Sequence, residues 1–287
     1  MGAGIADVLS DVVKYNVTLA DVTDKALANG QGIIAKSLSR IAKKKMADKS
    51  PEEQEQFVKS VVDSIHVTTD AAKAVESTDL VIEAIIENMK IKKELFSFLD
   101  SKAPAGAIFA SNTSSLSISE VASATKREDR FGGFHAFNPV PQMKLIEIVR
   151  TSQTSPETHE TLVEAAKRMG KAPVSRKASP ALHATLLPVP YQLEALRLVE
   201  RGVASPEDVD TAMKLGAGYP MGPFELADLV GLDTMEHIAQ GWRESVAGTE
   251  DMPADLVKES PMLKQLISEG RLGRKTPEKG GFYQYKK

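Results

Sequence analysis

The period of the hydrophobic positions changes along this chain. In the first half, helix-spaced apolar residues alternate with short continuous apolar runs. Ile5, Val8, Leu9, Val12 and Val13 make one helical face, and a strand-like Val17-Thr18-Leu19-Ala20 follows and ends at Asp21. Leu27, Ile34, Leu38 and Ile41 carry a second helix across Gly30 and Gly32, which weaken it. Ser50, Pro51 and Glu53 predict a helix start, with Ser50 as cap, Pro51 at the first position and Glu53 closing a capping box. Leu80-Val81-Ile82 and Ala107-Ile108-Phe109-Ala110 read as parallel strands buried on both faces, with a helix from about Met89 to Leu99 between them. Such alternation predicts an α/β fold with a doubly wound sheet over residues 1–177.

Prolines 173, 180, 188 and 190 then punctuate the chain, and only helix-period segments come after them. Ser205-Pro206-Glu207-Asp208 and Gly222-Pro223 are helix starts. Residues 178–287 therefore read as a separate all-helical domain. There is no internal repeat and no low-complexity segment.

Composition narrows the class. The 287 residues are 42% hydrophobic and 26% charged, which is ordinary for a globular chain able to bury a core. A net charge of -3 leaves no footprint for nucleic acid, and Lys43-Lys44-Lys45 is only a local patch. No apolar stretch approaches the roughly 20 residues that would span a bilayer. With no cysteine, disulfides, thiol catalysis and Cys-ligated zinc are excluded, as fits an intracellular protein. No signal or transit peptide precedes the first structural pattern.

Three stretches carry chemistry. In the first, Phe134-His135-Ala136-Phe137-Asn138-Pro139-Val140-Pro141 precedes the apolar run Leu145, Ile146, Ile148 and Val149, which encloses Glu147. A carboxylate inside a buried strand needs a partner, and His135 is the nearest in sequence. The pair reads either as a general base held in one tautomer or as an ion pair closing a hairpin. In the second, Gly2-Ala3-Gly4 opens a helix and Asp21 ends the next strand, resembling the later half of a dinucleotide fingerprint. The acidic group would bind a ribose diol and repel a 2′-phosphate, favouring NAD over NADP. A tight helix start is the other reading. In the third, Ser111-Asn112-Thr113-Ser114-Ser115 lies beyond the carboxyl end of a strand, where α/β sheets bind ligands, although a cap and a Ser/Thr turn would use the same residues. Glu87-Asn88 occupies the equivalent place after the preceding strand, where the cap of the next helix is the other reading.

Taken together, the run from Ser111 to Leu116, the stretch from His135 to Glu147, Ala212-Met213-Lys214-Leu215-Gly216-Ala217-Gly218-Tyr219-Pro220-Met221-Gly222-Pro223-Phe224-Glu225 and Gly280-Gly281-Phe282-Tyr283 resemble the short-chain L-3-hydroxyacyl-CoA dehydrogenases, NAD enzymes of fatty acid β-oxidation. The resemblance runs almost end to end. It implies a Rossmann-like NAD-binding and catalytic domain followed by a helical substrate and dimerisation domain, with NAD as cofactor, an acyl-CoA as substrate and a homodimer as the assembly. His135 then matches the catalytic base, Glu147 its orienting partner, Ser114 the hydroxyl that touches the reacting oxygen near the nicotinamide, and Asn138 an active-site amide. Gly2, Asp21, Glu87, Lys92, Ser114 and Lys275 match cofactor-contacting positions. Ser37 and Lys44, with Ser114, match positions that hold the coenzyme A substrate. No metal is implied, and His183 has no partner at ligand spacing. The compartment implied is the mitochondrial matrix for a eukaryotic source and the cytoplasm for a bacterial one.

The chain departs from the family in two places. Members begin with a strand and a glycine-rich turn, and Met1 aligns just before the last fingerprint glycine, so a truncated chain or incomplete gene model is expected, with another segment filling the gap as the alternative. The absent strand would be central in the sheet and leave apolar surface uncovered. Residues 180–187 are also off-pattern: Ala181 stands for a Gly, Thr185 for an active-site Asn and Leu186 for an Arg. Ala181 to Thr185 reads as a one-base-shifted Gly-Phe-Ala-Cys-Asn, which the coding sequence would settle. Two other functions stay open: an impaired pseudoenzyme that binds acyl-CoA or dimerises, and a dehydrogenase of a free hydroxy acid or sugar acid, against which Ser37 and Lys44 tilt.

Overall fold

Side-chain caps set where many helices begin in the computed structural model, which describes residues 1–177, 188–245, 247–249 and 252–285. Helix α1 is Gly2–Asp11, and strand β1 is Thr18–Ala20. Thr23 caps α2 (Asp24–Lys45). Ser50 and Glu53 close the expected capping box at the start of α3 (Pro51–Asp63). The chain continues through β2 (His66–Thr68), α4 (Ala71–Val75), β3 (Leu80–Glu83) and α5 (Met89–Asp100), the last capped by Asn88. After these come β4 (Ile108–Ser111), α6 (Ile118–Ala122), β5 (Phe131–Ala136), β6 (Leu145–Arg150), α7 (Pro156–Arg168) and β7 (Ala172–Lys177).

These strands form two sheets. β1 and β2 pair in parallel, and β3 to β7 make a five-stranded sheet in sequence order. Neighbours in the larger sheet are parallel except β5 and β6, which are antiparallel. Among the described residues no strand joins β1 to β3. Leu19 in β1 and Leu80, Val81 and Ile82 in β3 stay only half-buried, although a central position in one continuous sheet would bury them.

Helix α1 differs in its buried face from the sequence expectation. Val12 is 48% exposed, and Ala6 is buried instead. The reason is that α1 serves two cores. Ile5 and Val8 pack with Ala110, Phe134, Ile146 and Ile148, while Ala6 packs with Val17, Ile34, Leu38 and Val61. Gly30 does not interrupt α2; a Cβ there would lie 3.1 Å from Leu19 Cδ2, so the glycine admits the strand.

Contacts divide the chain into Met1–Ala178 and Ser179–Lys287. The described part of the second unit contains helices and no strand. These include Pro188–Glu200, Pro206–Gly216, Pro223–Val230, Leu232–Ser245 and Pro261–Ser268, around a core of Leu193, Leu196, Phe224, Leu232, Met235 and Leu263. Ser205 and Gly222 stand at the predicted helix starts. The off-pattern residues Ala181, His183, Thr185 and Leu186 lie outside the described residues.

Candidate active site

The antiparallel register of β5 and β6 sets His135 directly opposite Glu147. Cross-strand partners share a sheet face, so the two side chains meet. His135 Nδ1 lies 2.9 Å from Glu147 Oε2, and both residues are buried. With Nδ1–H donating to the carboxylate, the neutral imidazole keeps its lone pair on Nε2. The Phe137 ring packs on the imidazole at 4.5 Å between centroids. Gly133, two residues before His135 on β5, lets the strands approach: a Cβ there would sit 2.7 Å from Val149 Cβ.

His135 lines a cleft of about 300 Å³ together with Met1, Ala84, Glu87, Ser114 and Asn138. Ser114 is supplied by the loop after β4. Asn112 Oδ1 accepts from Ala136 N at 2.8 Å and ties the start of that loop to the strand end beside the histidine. Thr113 Oγ1 accepts from Ser115 N and Leu116 N, a Ser/Thr turn. Glu87 closes the loop from the other side. Its Oε1 accepts from Ser114 N at 3.0 Å and from Ser115 N at 3.1 Å, and also from the Thr113 and Ser115 hydroxyls. Burial alone would raise the Glu87 pKa. The hydroxyls of Thr113 and Ser115, the Lys92 charge and the Ser114 amide outweigh it and hold the carboxyl below its ordinary range.

The other expected positions are more dispersed. Lys92 is 1% exposed and lies beneath the cleft wall, its Nζ 2.6 Å from Glu83 and 3.4 Å from Glu87. Ser37 and Lys44 stand seven residues apart on α2, hence on one helix face about 10 Å apart. Ser37 is half-buried beside Asp7 and Lys44 is exposed. Lys275 belongs to the second unit, where its Nζ donates to Asp233 Oδ1 at 2.7 Å and Thr234 Oγ1 at 2.6 Å. Glu83 carries no expectation from the sequence, although an acidic residue ending an apolar strand needs a partner just as Glu147 does.

The first unit has features that suit a dinucleotide. The Met1 cap position of α1 makes no side-chain hydrogen bond, and the first helical bond is Ile5 N to Met1 O, which leaves the N–H groups of Gly2, Ala3 and Gly4 without helical acceptors. Met1 lines the same cleft as His135, so this helix end opens beside the imidazole. A Cβ on Gly2 would meet only Ala84, at 3.8 Å, so packing within the chain does not demand a glycine there. Asp21 is exposed beyond β1, and one of its oxygens accepts from Val22 N at 2.7 Å. Open N–H donors for phosphate oxygens and an exposed carboxylate for a ribose diol together fit NAD. Among the described residues no cluster of His, Asp and Glu is arranged to hold a metal, and no helix is long and apolar enough to cross a membrane.

The chain as a whole is similar to known proteins. The family model "3-hydroxyacyl-CoA dehydrogenase, NAD binding domain" covers residues 1–179, and "3-hydroxyacyl-CoA dehydrogenase, C-terminal domain" covers residues 185–285. The chain is 52% identical over 286 residues to the mitochondrial hydroxyacyl-coenzyme A dehydrogenase of Sus scrofa, an alignment spanning 100% of this chain and 88% of that protein. It is 39% identical over 289 residues to a probable 3-hydroxybutyryl-CoA dehydrogenase of Deinococcus radiodurans, covering 99% and 96% of the two chains. Among solved structures, (S)-3-hydroxybutyryl-CoA dehydrogenase PaaH1 from Ralstonia eutropha superposes with a TM-score of 0.86 at 37% identity, covering 100% of this chain and 96% of that one.

Proposed function

We propose, from the premise that this chain belongs to the 3-hydroxyacyl-CoA dehydrogenase family, that it interconverts L-3-hydroxyacyl-CoA and 3-ketoacyl-CoA with NAD through the His135–Glu147 dyad. The observation that carries the reading is the buried 2.9 Å contact between His135 Nδ1 and Glu147, with the imidazole edge open to the cleft that Ser114 and Asn138 share. Bound NAD supplies the acceptor for the hydride that leaves C3. His135 Nε2 takes the proton of the 3-hydroxyl, and Glu147 stabilises the imidazolium formed. Ser114 and Asn138 bind the substrate oxygen and fix its distance from the base. The first-turn amides at Gly2 and the Asp21 carboxylate would hold the pyrophosphate and ribose, with Glu87 and Lys92 serving the same cofactor.

Coenzyme A is assigned to the side of α2 that carries Ser37 and Lys44. The two residues share that face, and the cationic run from Lys43 to Lys45 suits a phosphate-rich nucleotide. The helical unit is assigned to a homodimer. Leu215 is 83% exposed, and Leu229 and Val230 are also exposed, so a second copy would cover apolar surface. Fatty acid β-oxidation, in the matrix or the bacterial cytoplasm, is the setting this chemistry serves. NADH oxidation with acetoacetyl-CoA tests the assignment. Wild type should turn over, and His135→Gln should lose about 10²–10⁴-fold in kcat while NADH binding changes little. Near-normal turnover in that variant would remove His135 as the base.

A further inference from the structure

Behind the cleft wall lies a charge network whose centre and root, Glu83 and Ser111, belong neither to the dyad nor to the proposed cofactor contacts. Its centre is Glu83, the last residue of β3, 4% exposed. Both carboxylate oxygens are engaged. Oε1 accepts from Lys92 Nζ at 2.6 Å and from Ile85 N at 2.7 Å, and Oε2 accepts from Ser111 Oγ at 2.6 Å. These partners face the cleft from two directions. Lys92 passes the contact on to Glu87, which receives the Ser114 and Ser115 amides. Ser111 ends β4, pairs with Glu83 in the parallel register and accepts from Thr113 N at 3.3 Å, at the root of the loop bearing Ser114. The main chain follows the same route, since Asn112 N donates to Glu83 O at 2.7 Å.

We infer that Glu83 is a positioning residue for the reaction, holding Lys92 and Ser111 so that Glu87 and the 113–115 loop present Ser114 to the substrate at a fixed place. This inference rests on the function proposed above. Burying the Glu83 carboxylate and the Lys92 ammonium costs more desolvation than an apolar pair of the same volume would, so fold stability alone is a poor reason for them. What the ions give is direction. Every group bonded to Glu83 lies on one of the two segments that form this wall of the cleft, and each bond to the charged carboxylate is short and strongly oriented. Without the Glu83 charge, Lys92 would have only Glu87 as anionic partner. Glu87 would be drawn towards the ammonium and away from the amides it now holds.

The test uses the full chain as wild type, Glu83→Gln and Ser111→Ala. Amide hydrogen exchange at Ser114 and Ser115 needs neither substrate nor cofactor and reads the positioning directly. In Glu83→Gln, exchange there should accelerate about tenfold or more, with β6 amides unchanged. With acetoacetyl-CoA and NADH, kcat should fall about tenfold or more while KM for the acyl-CoA stays within about threefold. Ser111→Ala keeps the Glu83–Lys92 pair and should show the same pattern at about two- to fivefold. Pairing Glu83→Gln with Lys92→Met removes the stranded ammonium. It should restore the melting temperature and bring Ser114 and Ser115 exchange back towards the wild-type rate, because nothing then draws Glu87 off the amides. Unchanged Ser114 and Ser115 exchange in a folded Glu83→Gln overturns the inference whatever the turnover. If that variant does not fold, unchanged exchange and kcat in Ser111→Ala overturn it. A wild type with no turnover would instead overturn the proposed function and leave the exchange result standing.

Discussion

Replacing Asp7 by Asn should make the protein more stable at pH 8 but not at pH 4. Asp7 lies on α1, is 1% exposed, and neither carboxylate oxygen has a hydrogen-bond partner. Burial raises its pKa from 3.8 to about 6; the nearby Ser37 hydroxyl offsets part of the shift without meeting hydrogen-bond geometry, Asp11 adds to it and Lys171 opposes it. The folded state therefore holds a proton that the unfolded state has already released. Stability falls as pH rises from the unfolded value through the folded one, and is flat above about pH 6. A shift of about two units at about 1.4 kcal/mol each gives a loss of about 3 kcal/mol across that window. The uncharged amide of Asp7→Asn does not pay it. The stability difference between variant and wild type, from urea unfolding, should thus be larger by about 3 kcal/mol at pH 8 than at pH 4. Carbon NMR of the Asp7 carboxyl should give a midpoint near 6. A difference below about 1 kcal/mol, together with a midpoint near the ordinary aspartate value, would refute the burial argument.

Other expectations concern the dyad, the cofactor and the strand approach. Glu147→Gln keeps the shape of the Glu147 side chain but removes the charge facing the imidazolium, so kcat should drop by about 10²–10³-fold with little change in KM; a change under threefold would leave the pair as a hairpin ion pair only. Asp21→Ser should raise kcat/KM with NADPH by about tenfold relative to NADH, because the repelling carboxylate is gone, and an unaltered cofactor ratio would count against its ribose role. Gly133→Ala places a methyl 2.7 Å from Val149 Cβ and should lower stability by about 1–3 kcal/mol in thermal or urea unfolding, with wild-type stability showing that β5 can shift to accept it.

The sequence by itself determined what depends on near neighbours. The Ser50 capping box, the α5 boundaries, the apolar strands and the change to an all-helical second half each follow from periodicity or from a side chain meeting its own backbone a few residues away. The His135–Glu147 contact was legible for a related reason: a carboxylate inside an apolar run requires a partner, and His135 is the nearest candidate in sequence. Tertiary structure decided the rest. The antiparallel register of β5 and β6 places His135 and Glu147 opposite each other, where a slip of one residue would have put them on different faces. Parallel pairing of β3 and β4 brings Glu83 to Ser111 across 28 positions, and the packing of α5 against that edge adds Lys92. The burial of Asp7, a charged residue on α1, follows from that helix being enclosed by two cores at once. In each case the partner is set by how separate elements pack. Spacing along the chain carries no trace of that, so a buried charge shows in sequence that some partner is needed without showing which one.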